Sequence, residues 1–315
     1  MLRFTDTEQA YPPTRAADVR AHDFNEISPV FDAGALALQA SRCSQCGVPF
    51  CQIHCPLSNN IPDWLSLAAQ GRLEEAYAIS SATNNFPEIC GRICPQDKLC
   101  EGNCVIEKGF GAVTIGAVEK TITETAFEQG WVKPIKISRE TGISIGIIGA
   151  GPAGLAAADM LRREGHSVTV YDRYDRTGGL MMYGIPNFKL DKAIVKRRDA
   201  LLRAGGIKFQ LNTQIGTDVS LDALRARHDA LLIATGVYKP RALGVKGDTL
   251  GNILPAMDYL TASNRKGLGD AVPAFETGEL NAAGKRVVVI GGGDTAVGCV
   301  RTAVRRGAAS VTCLY

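Results

Sequence analysis

The stretch Ile143-Ser144-Ile145-Gly146-Ile147-Ile148-Gly149-Ala150-Gly151-Pro152-Ala153-Gly154 decides the fold. Its first half is a short run rich in β-branched residues, suited to a buried strand. Its second half is Gly149-x-Gly151-x-x-Gly154, and a helical segment, Ala153 to Arg163, follows at once. A second β-branched run, Val168 to Tyr171, ends at Asp172. Strand, glycine turn, helix, strand and acid come in the order of a dinucleotide site. Gly149 permits the tight turn, Gly151 lets a pyrophosphate approach the backbone, and Gly154 lets helix and strand pack closely. Pro152 and Ala153 open the helix, whose free N–H groups and positive dipole end face the phosphates. Asp172 can accept a hydrogen bond from a ribose hydroxyl. An ordinary glycine-rich βα turn would carry the glycines without the acid at that distance.

Outward from this unit, the chain carries further parts of the same architecture. After Asp172 come Gly178-Gly179-Leu180, where adjacent glycines allow a loop to close over a bound dinucleotide. Tyr183 to Leu190 reads as a loop into a helix spanning Asp191 to Ala204. Lys189 lies in that loop and is expected to be solvated. Ile207 to Leu211 is a strand and Leu221 to Arg227 a short helix. Ala230 to Gly236 reads as a buried parallel strand ending in the small-residue turn Thr235-Gly236; downstream of the first fingerprint it resembles the second glycine turn of two-dinucleotide flavoproteins, which lies beside the cofactor. Val287 to Ile290 then opens a second copy of the signal: Gly291-x-Gly293-x-x-Ala296, the variant with Ala last, includes Asp294 and Thr295. Ala296 to Arg306 is its helix and Ser310 to Tyr315 the next strand. Two such fingerprints on one chain point to one flavin and one nicotinamide nucleotide, and by analogy the first holds FAD.

The chain stops at Tyr315, just before the residue that would choose between NAD and NADP. A single βαβ unit cannot cover both faces of its sheet. We therefore expect a fragment of a longer product, with an incomplete nicotinamide site.

The region before Ile143 is of another kind. It holds Cys43-x-x-Cys46-x4-Cys51-x3-Cys55-Pro56 and Cys90-x3-Cys94-Pro95-x5-Cys100-x3-Cys104, eight of the ten cysteines. Thiolates suit zinc and iron–sulfur clusters. Zinc sites show two tight Cys-x-x-Cys knuckles per ion, and only Cys43 and Cys46 have that spacing. Three close cysteines and a fourth before proline follow the two-cluster ferredoxin style, in which the Cys-Pro cysteine reaches the other cluster. Two [4Fe–4S] clusters follow. Cys43, Cys46 and Cys51 hold one with a fourth ligand from the second block; Cys55 joins the other with ligands from that block. His54 is expected to face solvent. Asn60 to Trp64 reads as a helix start, capped by Asn60 or Asp63, with an apolar face of Leu65, Ala68, Ala69, Leu73, Ala76 and Tyr77. Trp64 and Tyr77 read as core. Val113 to Gln129 is another helix, carrying Glu119. Residues up to about Phe31 form an extended arm, and Trp131 to Arg139 a linker. Cys299 and Cys313 read as small apolar core residues.

Bulk properties set limits. A length of 315 residues suggests two or three domains, and 45% hydrophobic content allows sizeable cores. A net charge of +3 gives no reason to invoke nucleic acid or a membrane. Met1 to Asp6 lacks the apolar core of a signal peptide, and no apolar run is long enough to span a bilayer. We expect a cytoplasmic protein, where reduced thiols serve metal rather than disulfides. The fold class is α/β with an N-terminal α-helical iron–sulfur domain. The expected domains are 1–140, helical with the two cysteine blocks; 141–280, Rossmann-like and FAD-binding; and 281–315, the beginning of an NAD(P)H-binding domain.

Asp63-Trp64-Leu65, Pro87 to Asp97, Phe110 to Gly116, Tyr183-Gly184-Ile185-Pro186 and Gly292 to Ala296 together resemble the small (β) subunits of NADPH-dependent glutamate synthase. The resemblance covers the whole sequence, and extends to the superfamily that includes the N-terminal part of dihydropyrimidine dehydrogenase. It implies that Cys43, Cys46, Cys51 and Cys104 hold one cluster, and Cys55, Cys94 and Cys100 the other. The last ligand is then a side-chain oxygen at the position of Glu119, with Cys90 spare. The all-cysteine count uses Cys90 instead, and both sets stay open. The resemblance further implies that NADPH reduces FAD, and that the clusters carry single electrons to a large (α) subunit, which makes glutamate from glutamine and 2-oxoglutarate. No catalytic side chain is implied here, since the cofactors carry the chemistry. The rival readings are an electron-transfer subunit of a pyrimidine-reducing or ferredoxin-linked oxidoreductase, and a zinc-binding scaffold without activity.

Overall fold

The computed structural model describes residues 3–240 and 242–315, which form two compact units. One comprises 3–15 and 27–134; the other comprises 16–26 and 135–315.

The first unit is helical. Its main helices are α1 (Ala33–Ala40), α2 (Ile61–Ala69), α3 (Leu73–Thr83), α4 (Pro87–Ile93) and α5 (Ile115–Glu128). Asp32 caps α1 by accepting from the Ala35 N–H at 2.8 Å. The helix expected to run from Asn60 through Tyr77 is two, α2 and α3. Gly71 breaks it with φ of 76°, a left-handed conformation that costs glycine little. The expected capping bond is also absent. Asn60 donates its side-chain amide to Asp63 Oδ2 at 2.6 Å, while Pro62 occupies the first turn. Trp64, Leu65, Ala68, Val118 and Ile122 form the core with Leu36 and Ala76, and Cys43, Cys51, Cys55, Cys100 and Cys104 pack against it. Trp64 is 1% exposed and donates its indole N–H to Asn59 Oδ1 at 2.7 Å.

Helices α4 and α5 meet main chain to main chain at Gly91. A Cβ there would lie 2.7 Å from the Lys120 nitrogen and 2.9 Å from the Gly116 oxygen. That approach sets Cys90 of α4, and Cys94 at its C-terminal end, against α5.

In the second unit, β1 (Ser144–Ile148), α6 (Pro152–Arg163), β2 (Ser167–Tyr171), α7 (Lys192–Ala204), β3 (Lys208–Gln210) and β4 (Ala230–Ile233) build a four-stranded parallel sheet in the order β3-β2-β1-β4. Strand β1 is buried because it is central. Strand β4 was expected to be buried but is an edge: Leu232 is 39% and Ile233 65% exposed. Helix α8 (Ala256–Gly267) leads to a second, two-stranded parallel sheet, β5 (Arg286–Ile290) and β6 (Ser310–Leu314), joined by α9 (Asp294–Arg305). One face of its strands is half-buried and the other exposed. The expected loop after Gly179 begins with one helical turn, Leu180–Tyr183.

The segment after that turn is held by buried donors. Lys192 gives its ammonium hydrogens to the carbonyls of Met181, Ile185 and Leu190, and Asn264 donates to those of Tyr183 and Ile185. Residues 16–26 pack here too: Asn187 donates to the Phe24 carbonyl and Arg305 to that of Asp23.

Gly91→Ala should destabilise the first unit by about 1–3 kcal/mol, because the atoms a methyl would strike are main chain and cannot turn aside. Thermal unfolding of the metal-free chain, compared with a substitution at the open Gly47, measures it.

Candidate redox-cofactor sites

The first cysteine block closes on the last thiol of the second. Cys43, Cys46, Cys51 and Cys104 line one small pocket, walled by apolar residues that include Pro62, Leu65, Val113 and Ile115. All four thiols are free and half-buried. Burial pushes the Cys43 thiol up, and pushes Cys51 up to about 12, with the neighbouring thiols adding to the effect. Gln45 takes a left-handed conformation, φ 51°, and its amide donates to Cys43 Sγ at 3.3 Å and to the Pro62 carbonyl at 2.8 Å. Cys104 is thus the thiol of the second block that lies beside the first three.

A second group forms between α4, α5 and the loop that carries Cys100. Cys100 is raised by burial, then by Glu101, Glu119 and Cys55, which places all three close to it. Cys90 is raised first by its hydrogen bond with Cys94, then by burial. Glu119 accepts from Asn84 Nδ2 at 3.2 Å and from Ser80 Oγ at 3.4 Å. Burial, then Cys90, raises its carboxyl well above the ordinary range. Both rival ligands, Cys90 and Glu119, are therefore present in this group. Glu119 lies on the buried stripe Ile115, Val118, Ile122, Ala126 of α5, where helical spacing calls for an apolar side chain. A carboxylate at that position is a signal in its own right. His54 is exposed, as expected, with Nδ1 2.9 Å from the Phe50 carbonyl.

The donor set fits iron–sulfur clusters. Soft thiols spaced around an apolar pocket suit a larger polynuclear group.

In the second unit a cavity of about 310 Å³ opens at the carboxyl ends of β1, β2 and β4. Gly149, Asp172, Thr235 and Gly236 line it, as expected. Gly149 has φ of 114°, and a Cβ there would lie 2.3 Å from the Ala234 oxygen. A Cβ on Gly154 would lie 1.9 Å from the Gly149 oxygen, so α6 rests directly on the turn. Nothing lies within 4 Å of the Cβ position of Gly151, which leaves that backbone open to a ligand. Gly179 takes φ of 51° and lies against Gly151, where a Cβ would be 2.8 Å from the Gly151 Cα. Leu180 follows it, partly exposed. Asp172 has a structural role besides the expected one: Oδ2 accepts from the Ala150 N–H at 2.6 Å and Oδ1 from the Tyr174 N–H at 2.9 Å. Each oxygen keeps a further acceptor site for a ribose. Arg173, Thr213, Gln214 and Tyr238 also line the cavity and were not anticipated. The Arg173 guanidinium stacks 4.2 Å from the Tyr238 ring centroid. These residues come from irregular loops and have no period to betray them.

At the second turn, Gly291 has φ of 128°, Gly293 precedes α9, and Asp294, Thr295 and Ala296 form its first turn. Lys189, expected to be solvated, instead pairs with Asp294 at 3.5 Å. Cys299 is buried as expected, whereas Cys313 is half-buried and donates to the Gly291 carbonyl at 3.2 Å.

Comparison with known proteins agrees with this division. Residues 20–131 match the family described as dihydropyrimidine dehydrogenase domain II, 4Fe–4S cluster, and residues 143–315 match the pyridine nucleotide-disulphide oxidoreductases. The chain is 63% identical over its whole length to a glutamate synthase [NADPH] small chain of Azospirillum brasilense and 45% identical to that of Escherichia coli, spanning 66% of each. It is 44% identical to the putative oxidoreductase AegA of Escherichia coli, over 96% of this chain and 46% of that one. The N-terminal region is thus a [4Fe–4S] domain, and the remainder is of the FAD- and NAD(P)H-binding kind. Among the described residues no helix is long and apolar enough to cross a membrane.

Asp172→Ala should cost the second unit about 1–3 kcal/mol even without a nucleotide, since it strips the Ala150 and Tyr174 N–H groups of their acceptor. Asp172→Asn keeps one acceptor and should lose less. Urea unfolding of the nucleotide-free proteins gives both values.

Proposed function

The chain belongs to the pyridine nucleotide-disulphide oxidoreductase family, and from that premise we propose that it is the electron-input part of a glutamate synthase. It oxidises NADPH at FAD and passes electrons through two [4Fe–4S] clusters to a large subunit that makes glutamate from glutamine and 2-oxoglutarate. The observation that carries the reading is the coexistence, on a chain 63% identical throughout to such a small chain, of a four-thiol pocket and two dinucleotide turns.

When bound, these cofactors supply hydride transfer, the splitting of an electron pair and single-electron conduction. The protein's part is to hold them. Gly149, Gly151 and Gly154 bring main chain to the FAD pyrophosphate, with the free N–H groups of the first turn of α6, from Ala153 onward, beyond it; Pro152 itself has no N–H and sets the helix start. Asp172 takes the ribose, Gly179 and Leu180 close one side, and Thr235 and Gly236 form the floor. Gly291, Gly293, Asp294, Thr295 and Ala296 serve the NADPH pyrophosphate, and Lys189 offsets the acid at that helix end, where a phosphate would otherwise be repelled. Cys43, Cys46, Cys51 and Cys104 hold one cluster. Cys55, Cys94, Cys100 and Glu119 hold the other, with Cys90 spare. The core position of Glu119 favours it over Cys90 as the ligand, because a carboxylate placed on an apolar stripe is costly unless it is used.

A second reading, an electron-transfer unit for a different acceptor, is favoured by the match to dihydropyrimidine dehydrogenase domain II and by the likeness to AegA. The two separate in one experiment. The anaerobically reconstituted protein should oxidise NADPH with a dye as acceptor, and should support glutamate formation when the large subunit, glutamine and 2-oxoglutarate are added. Dye reduction with no glutamate would favour the second reading. A colourless, iron-free protein would exclude both.

Iron analysis tests the ligand set. The unsubstituted protein should hold roughly eight iron atoms and Cys90→Ser the same number, whereas Cys104→Ser and Glu119→Ala should each retain roughly four. Loss of a cluster in Cys90→Ser, with Glu119→Ala intact, would restore the all-cysteine set.

A further inference from the structure

Arg42 immediately precedes the first thiol of the first pocket, and its side chain is wholly buried. Its guanidinium is held by backbone carbonyls: Nε donates to Thr7 at 3.0 Å, Nη1 to Ala112 at 2.5 Å, and Nη2 to Phe110 and Gly111 at 2.6 and 3.0 Å. No carboxylate among the described residues pairs with it. Val113, next to Ala112, lines the pocket, and Arg42 interacts electrostatically with Cys104. A guanidinium does not deprotonate in a protein, so this is a fixed charge.

The second group has the opposite sign. Glu119 is buried beside Cys90 and Cys100, and Glu101 is buried next to Cys100. Tyr11 interacts with both poles: its hydroxyl donates to Glu101 Oε2 at 2.7 Å, and it lies within electrostatic reach of Arg42. A buried cation thus serves the first set of thiols, and beside the second, apart from its ligand Glu119, lies the buried carboxyl of Glu101. Adding an electron makes a cluster more negative, which a nearby cation favours and a nearby carboxylate opposes.

We propose that Arg42 is a positioning residue for electrons: its permanent charge makes the cluster held by Cys43, Cys46, Cys51 and Cys104 the easier of the two to reduce. Electrons entering the sulfur-rich unit therefore settle on that cluster. The inference rests on the ligand sets proposed above. It assigns Arg42 a role that its clamp on residues 7 and 110–112 does not require, since a neutral donor could also bind carbonyls.

The test is an anaerobic redox titration of the reconstituted full chain, followed by the electron paramagnetic resonance signal of each cluster. A unit charge ~10 Å away in a medium of effective dielectric ~20 changes an equilibrium roughly tenfold. Arg42→Met should therefore weaken electron uptake by the first cluster about tenfold, a fall of ~59 mV for one electron, and leave the second nearly unmoved. Arg42→Lys keeps the charge and should stay near the unsubstituted value. Clusters that form in Arg42→Met with unchanged potentials, or an equal fall in Arg42→Lys, would overturn the inference while leaving the ligand sets standing. If Arg42→Met takes up no iron, Arg42→Gln replaces it. If that also fails, the unsubstituted protein decides. The signal that Glu119→Gln leaves unaltered belongs to the first pocket and must have the higher potential; the reverse order overturns the inference. An unsubstituted protein with no [4Fe–4S] signal would sink the ligand sets and the inference together.

Discussion

Main chain meets main chain at a few glycines, and the sites depend on those contacts. Gly154 rests on the Gly149 carbonyl, Gly149 on that of Ala234, and Gly179 on the Gly151 backbone. Each contact is closer than a Cβ would allow. Together they draw α6, β4 and the loop after Asp172 into one narrow turn with its N–H groups presented outward. In the helical unit Gly91 does the same for α4 and α5. The gain is precision, because main chain has no rotamers. The cost is the backbone entropy that glycine loses on folding, which apolar burial on either side must offset.

The parts legible in the sequence were those with a short-range cause. A glycine turn between two β-branched runs has few alternatives, and the structure contains β1, α6 and β2 at almost the expected residues. The parts that were not legible depend on long-range placement. Composition suggested that β4 is buried, but a strand's burial is set by its neighbours, and β4 has only β1 beside it. The break at Gly71 was hidden because the apolar spacing of α2 runs on into α3 almost in phase. Thr213, Gln214 and Tyr238 reach the flavin-type cavity from irregular loops. Cys104 could be assigned to the first pocket only by resemblance, since its spacing fits either group equally well.

The cysteine region shows why a helical unit suits this task. Its thiols pack against the core that contains Trp64 and Leu65 rather than projecting into water. Burial pushes the Cys43 and Cys51 thiols up and so makes them hold their protons more tightly. A buried thiol that must become a thiolate to bind metal ties binding to proton release, and part of the binding free energy then goes into ordering the fold.

Buried charge in this unit is not scattered. A folded chain tolerates a buried ion only when dipoles or counter-charges surround it. Arg42 satisfies that condition with four carbonyls, and Glu119 with Asn84 and Ser80. The carbonyls around Arg42 solvate its charge without neutralising it, whereas burial makes Glu119 hold its proton more tightly. Solvation by fixed dipoles without neutralisation preserves the long-range field, which a direct ion pair would cancel within a few ångströms. A chain selected for stability alone would gain from pairing such charges or replacing them with apolar side chains of similar size. An unpaired guanidinium, solvated by carbonyls beside a set of thiols, is what a fold would show if the field itself were under selection.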